Sequence, residues 1–313
     1  MKSSQPASPV QRIEGLVAVE LDPFVLGLYR VALGCFVLLF YSVLAPSWRF
    51  YYGAGGISPY LHWPAPDYEL LVPILVYARS DALLWALYGV SVLAALMLAA
   101  GVWWRLAALW LWHMNLGILY GNPYAANGEE QVMCLLLAFA LFMPLGAALT
   151  LPGRRRARAD TAPTPAKVRV WPLRALQLHL MLVYLLSVPL KLGSDPAWRD
   201  GTVVYYATMA LDYPRWPGLE IFAWGDAALS RALTCFALAV EALVPVLIWF
   251  RRLRPACLLA AAGLHIGMAL LLEGVAMFNG AMMVGLVLFL PSAHTRAWVS
   301  RLAHRPQVTT TPR

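Results

Sequence analysis

The sequence predicts an all-α integral membrane protein. Its expected form is a bundle of about eight transmembrane helices with both termini cytoplasmic and long, aromatic-rich outer loops. Three observations carry this expectation. Of the 313 residues, 61% are hydrophobic and 13% charged, and the mean hydropathy is +0.64, whereas a soluble domain is nearer about one quarter charged. Apolar stretches recur along the chain at the length that about 30 Å of hydrocarbon requires. Basic residues are divided unequally between alternate loops, as membrane topology demands.

Residues 1–23 form the N-terminal segment, expected to be cytoplasmic. It has no basic-then-apolar-then-small cleavage pattern, and Glu14, Glu20 and Asp22 argue against a transit peptide, so no cleaved signal is expected. A polytopic membrane domain follows over 24–291. Its spans read as 24–45, 82–101, 103–121, 131–149, 172–192, 229–250, 256–274 and 275–291, the last two joined closely enough to form one helical hairpin. A linker at 152–170, rich in Arg, Ala, Thr and Pro, separates the fourth and fifth spans. The tail is 292–313, short and basic. With the N-terminus inside, seventeen of the 24 Lys and Arg fall on the cytoplasmic side and six outside, with Arg30 left within a span. The net charge of +8 is therefore a topology signal, and no nucleic-acid partner is expected. The expected location is the cell inner (plasma) membrane, with the lipid bilayer as the principal partner. Cys35, Cys134, Cys235 and Cys257 all lie in apolar spans without a C-x-x-C pair and read as small buried hydrophobes.

Two outer loops, 46–81 and 193–228, are crowded with aromatic residues, among them Trp48, Tyr51, Tyr52, Tyr60 and Trp63, and Trp198, Tyr205, Tyr206, Tyr213, Trp216 and Trp224. They fit either a structured cap over the bundle or headgroup anchors.

Polar residues inside the spans are the candidates for function, because a charge in hydrocarbon costs at least about 2.5 kcal/mol. Gln177, Tyr184 and Lys191 are spaced by seven, two helical turns each, so they share one face of the fifth span, with Ser187 near it. Lys191, at the outer end, reads either as a snorkelling lysine or as an amine base. Arg30, His113, His179, Glu241 and His265 fall at similar depths nearer the cytoplasmic side, and Arg30 with Glu241 is the expected ion pair. That layer reads as a structural clamp or a proton path. No metal site is expected, since the histidines lack ligand spacing and cysteine partners. Asn122, Asn127, Glu129 and Glu130, with Glu273, Asn279, Asp195 and Asp200, make an outward-opening polar vestibule above Tyr184 and Lys191.

The order of these features is informative. It runs Tyr29-Arg30 then Leu33-Gly34, Asn127-Gly128-Glu129-Glu130, Gln177…Tyr184…Lys191-Leu192…Trp198…Asp200-Gly201, Glu241…Pro245, His265, and Met277-Phe278. Over about 24–291 the chain resembles the horizontally transferred transmembrane (HTTM) domain family, which is related to the membrane part of vitamin K-dependent gamma-glutamyl carboxylase. The resemblance implies a multi-pass membrane fold and a carboxylase-like, carbon–carbon bond-forming activity that uses a reduced quinone. It implies Lys191 as the base, with Tyr184 in the catalytic set and Arg30, Glu129, Glu130, Trp198, Asp200, Glu241 and His265 as supporting or scaffold positions. The substrate it implies is a peptide or small acid. The chain departs from the carboxylase at Glu129-Glu130, where that enzyme has an Asn-His pair, and at Leu151-Pro152, where the family usually has an acidic residue. The sequence also ends shortly after the eighth span, without the carboxylase's soluble peptide-gripping domain. A non-catalytic partner for peptide maturation, export or immunity, and a transporter, are the other readings.

Overall fold

Helix α1 (Pro23–Leu44) is the hub. It continues through a 3-10 turn into the short α2 (Trp48–Tyr52). Of the apolar window in α1, 61% is buried against protein, compared with 22% in the peripheral α10 (Arg254–Leu271). The computed structural model describes residues 19–21, 23–57, 74–122, 127–150, 168–210, 215–216 and 227–291. Tyr60, Trp63, Tyr213, Trp224, the basic run 154–158 and the tail lie outside the described residues.

The first half is a series of neighbours: α3 (Asp81–Ala100) packs on α1, α4 (Trp104–Gly121) on α3, and α5 (Gly128–Phe142) on α4. The second half places α6 (Trp171–Ser194) against α9 (Ala227–Leu247), α9 against α10, and α10 against α11 (Ala276–Leu286). Helix α11 also packs on α1 and α5, which joins the halves. Between α6 and α9 lie two short helices, α7 (Pro196–Asp200) and α8 (Val203–Met209). Leu39, Leu93, Leu106, Leu190 and Leu259 point outward, as lipid-facing residues do.

Among the described residues, five helices are long and apolar enough to cross a membrane: Pro23–Tyr52, Asp81–Ala100, Trp171–Ser194, Ala228–Leu247 and Arg254–Leu271. The expected 131–149 span is shorter than predicted. Helix α5 starts earlier, where Asn127 and Glu130 form a capping box, and ends at Phe142, because the residue before Pro144 is sterically barred from helical geometry. The expected 275–291 span is α11 followed by a 3-10 turn, Val287–Phe289. The all-α expectation also overlooked a two-stranded antiparallel ribbon, β1 (Val19–Leu21) with β2 (Val168–Val170), Glu20 lying opposite Arg169. Each strand leads directly into a helix, so α1 and α6 start at the same end of the bundle.

Trp48 shows how one crowded aromatic segment is used. It is fully buried, its indole N–H donates to the Leu84 carbonyl at 3.2 Å, and its ring centroid lies 4.8 Å from Tyr52 and 5.7 Å from Tyr88. This residue is a packing anchor within the bundle and not a headgroup anchor.

Candidate functional site

The polar stripe of α6 is a seam between helices. At its lower end Gln177 Nε2 donates to the Leu288 carbonyl at 2.9 Å, tying α6 to the turn after α11. Two turns further on, the buried Tyr184 hydroxyl lies 2.5 Å from His265 Nε2. At the upper end Lys191 Nζ forms an ion pair with Glu241 Oε1, and Ser187 Oγ is 2.8 Å from Glu241 Oε2. Spacings of three, four and seven put Tyr184, Ser187 and Lys191 on one face, where α9 supplies Glu241 and α10 supplies His265.

Donors and acceptors can be assigned from one end of this cluster. Asn279 Nδ2 donates to the Val275 carbonyl at 2.7 Å, which turns Asn279 Oδ1 toward His265 Nδ1, 2.6 Å away. An amide oxygen only accepts, so Nδ1 carries the proton. In a neutral imidazole Nε2 is then the acceptor, and Tyr184 is the donor. Asn279 thus sets the tautomer of His265, and His265 sets the direction of the Tyr184 hydroxyl.

The residues after Lys191 fold back over it. Asp195 caps α7 by accepting from the Ala197 N–H at 2.8 Å, and α7 brings Trp198 over the amine, with Nζ 4.6 Å from the ring centroid. Lys191 therefore meets a carboxylate on one side and an indole face on another; its side chain is 24% exposed, against 9% for Glu241. Asp200 then accepts from the Thr202 N–H and hydroxyl, at 2.9 and 2.5 Å. These bonds hold its carboxyl below the usual carboxylate range. Gly201 has φ +84°, and a Cβ there would lie 2.6 Å from Arg231 Cγ. Its carbonyl accepts from Ser230 and Thr234 of α9, at 2.9 and 3.1 Å. The Lys191…Trp198…Asp200-Gly201 pattern is thus one device that turns the chain over the amine and pins it to α9.

The expected Arg30–Glu241 ion pair does not form. Arg30 is fully buried, and its guanidinium donates to the carbonyls of Leu98, Ala99, Leu145, Ala148 and Leu149. Those groups end α3 and the segment after α5, where helix dipoles and unmatched carbonyls favour a cation. Glu241 instead meets Lys191, because a helical side chain leans toward its helix N-terminus and a lysine reaches about one turn back. The depth count compared backbone positions and so placed the two in different layers.

The remaining positions divide clearly. Glu129 and Glu130 are buried at the start of α5, where Glu130 accepts from the Asn127 N–H at 2.8 Å and Asn127 Nδ2 lies 3.4 Å from Glu129. His113 accepts from the Ile74 N–H at 3.0 Å, and His179 faces outward, so neither joins the cluster. Among the described residues no three His, Cys, Asp or Glu converge as metal ligands. Four partnerships were not read from the sequence: Asn279 with His265, Tyr184 with His265, Ser187 with Glu241 and Lys191 with Glu241. Their one signal was polarity within apolar helices.

No curated protein and no solved structure matches the chain. The family model of the HTTM domain matches residues 20–293, most of the chain and every helix of the cluster. The chain belongs to the HTTM domain family and is a multi-pass membrane protein.

Proposed function

We propose that the cluster is the proton-handling centre of a quinol-dependent, carboxylase-like enzyme acting on a peptide or small acid at the outer face of the cell inner membrane. The observation that carries this reading is the Lys191–Glu241 pair, set in a helix seam beneath Trp198. A buried ion pair is a poor source of stability compared with apolar residues of similar volume, which favours a chemical role.

The residues fit a lipid-borne hydroquinone. The Glu241 carboxylate puts a proton acceptor beside Nζ of Lys191, the Trp198 indole offers a flat face beside them, and Leu186 and Leu190 on the same helix turn outward to lipid. When bound, a hydroquinone supplies an acidic phenol proton and two reducing electrons. Lys191 takes a proton at Nζ, having first passed its own to Glu241 or to solvent. Trp198 covers one side of the amine, and Asn279 with His265 holds the Tyr184 ring in place.

The test uses purified protein in lipid nanodiscs with a hydroquinone, oxygen, labelled bicarbonate and acidic peptides. Label incorporation is expected to fall about 100-fold or more in Lys191→Ala. Equal incorporation in the two proteins, or none with any hydroquinone, would overturn the reading. A non-catalytic role in peptide maturation, export or immunity is the second reading. It is favoured by the compensation of the Lys191 charge on two sides, as in a purely structural pair. A peptide that co-purifies equally with wild type and Lys191→Ala would support it.

A further inference from the structure

Ser187 has one hydroxyl proton and two acceptors for it. Its Oγ is 2.8 Å from the Tyr184 carbonyl and 2.8 Å from Glu241 Oε2. A hydroxyl donates once but accepts through two lone pairs, so only one of these contacts can be a Ser187 donation at a time. While Glu241 is ionised it can only accept, and the proton belongs on the Glu241 side. The Tyr184 carbonyl then has no proton from Ser187.

We propose that Ser187 is the positioning residue that keeps Glu241 Oε2 hydrogen-bonded whether Glu241 holds zero or one proton, and that Glu241 is the proton store of Lys191. When a proton arrives on Oε2, an O–H bond forms there and that hydrogen points to Ser187 Oγ. The Ser187 hydroxyl rotates and donates to the Tyr184 carbonyl. One hydrogen bond breaks and two form, and no group is left unpaired in either state. A carboxyl group without such a neighbour would lose a partner in one state, and an unpaired buried polar group is strongly unfavourable. The charged and titratable groups facing this point are Lys191 and Tyr184 on α6 and His265 on α10, with Trp198 of α7 roofing the amine. A proton given up by Lys191 breaks its N–H bond and forms an O–H bond at Oε1, and a half-turn of the carboxyl then carries that O–H to the Ser187 side and returns a bare oxygen to the amine.

This inference deepens the proton-handling reading and rests on it for its purpose, but its test reads protonation without any quinol. Infrared difference spectra between neutral and acid pH are recorded on protein labelled with 13C at the tyrosine carbonyls. Tyr184→Phe removes the label at the position of interest and assigns its band. In wild type, acidification is expected to produce a carboxylic acid band that is lost in Glu241→Gln. A downshift of the Tyr184 carbonyl band should accompany it. In Ser187→Ala the acid band is expected to persist while the carbonyl shift is lost, and Ser187→Thr, which keeps the hydroxyl, should restore the shift. A carbonyl shift that survives in Ser187→Ala would overturn the proposal. So would a Glu241 band that titrates in wild type with no carbonyl shift, or no Glu241 band at any pH at which the protein remains folded. Failure of the carboxylation assay leaves this spectroscopic result standing, and the converse also holds.

Discussion

At the scale of single residues, Lys191 and Glu241 are not equivalent partners. Removing the lysine leaves a carboxylate that is only 9% exposed with no counter-charge, whereas removing the glutamate leaves an amine that can swing outward to water. Lys191→Met is therefore expected to destabilise by about 3 kcal/mol, and Glu241→Gln by about 1 kcal/mol. Combining them should recover part of the loss, since no buried charge is then stranded. Equilibrium unfolding in mixed micelles measures all three, and the reverse order of the single variants would contradict this account. The assigned donor directions make a second prediction. Nitrogen NMR of histidine-labelled protein should show His265 protonated at Nδ1 and bare at Nε2. Asn279→Leu should destabilise by about 1–3 kcal/mol by leaving the Nδ1 proton without an acceptor. An Nε2–H tautomer in wild type would reverse the direction of the whole Asn279–His265–Tyr184 chain.

At the scale of elements, the informative feature is how helix ends are closed. Five carbonyls from two segments converge on Arg30, and the planar guanidinium has enough donors for all of them. A lysine has three donors on one point and cannot span both segments. Arg30→Lys is expected to lose roughly 2 kcal/mol and Arg30→Met 3 kcal/mol or more, measured by thermal unfolding in detergent. Wild-type stability in Arg30→Lys would refute the closure. Gly101 is part of the same device: φ is +78°, and a Cβ there would lie 2.8 Å from Arg30 Cζ. Both ends of α5 were misplaced by the hydropathy reading, although Asn127…Glu130 has capping-box spacing and Met143-Pro144 marks a stop. The Arg30 closure was not legible, because backbone carbonyls carry no mark in a sequence and an ion pair is the more visible partner for a buried cation.

At the scale of the whole molecule, short turns join α3 to α4, α9 to α10 and α10 to α11, and the β1–β2 ribbon sets the starts of α1 and α6 side by side. The expected arrangement puts the ribbon end in the cytoplasm and Lys191 at the outer face. Substituted cysteines test it. Gly55→Cys sits where a Cβ meets nothing within 4 Å, and Arg252→Cys lies in the exposed turn between α9 and α10. In a background without the four native cysteines, an impermeant maleimide should label the first in intact cells and the second only after permeabilisation. The opposite pattern would invert the topology.

Composition and periodicity determined by themselves that this is a helical membrane protein, and that Tyr184, Ser187 and Lys191 share a face. Both follow from hydropathy and the pitch of a helix, which are local properties. Family membership was also legible, because the motif order survives along the chain. Only the tertiary structure decided which polar residues meet. It gave Glu241 to Lys191 and His265 to Tyr184, left Arg30 to backbone carbonyls, and brought Trp198 back over the amine. Helix depth places a residue on one axis, while partnership depends on which helices are neighbours, how far a side chain leans back, and where main-chain acceptors are left open. Those are properties of the packed bundle, and no single span contains them.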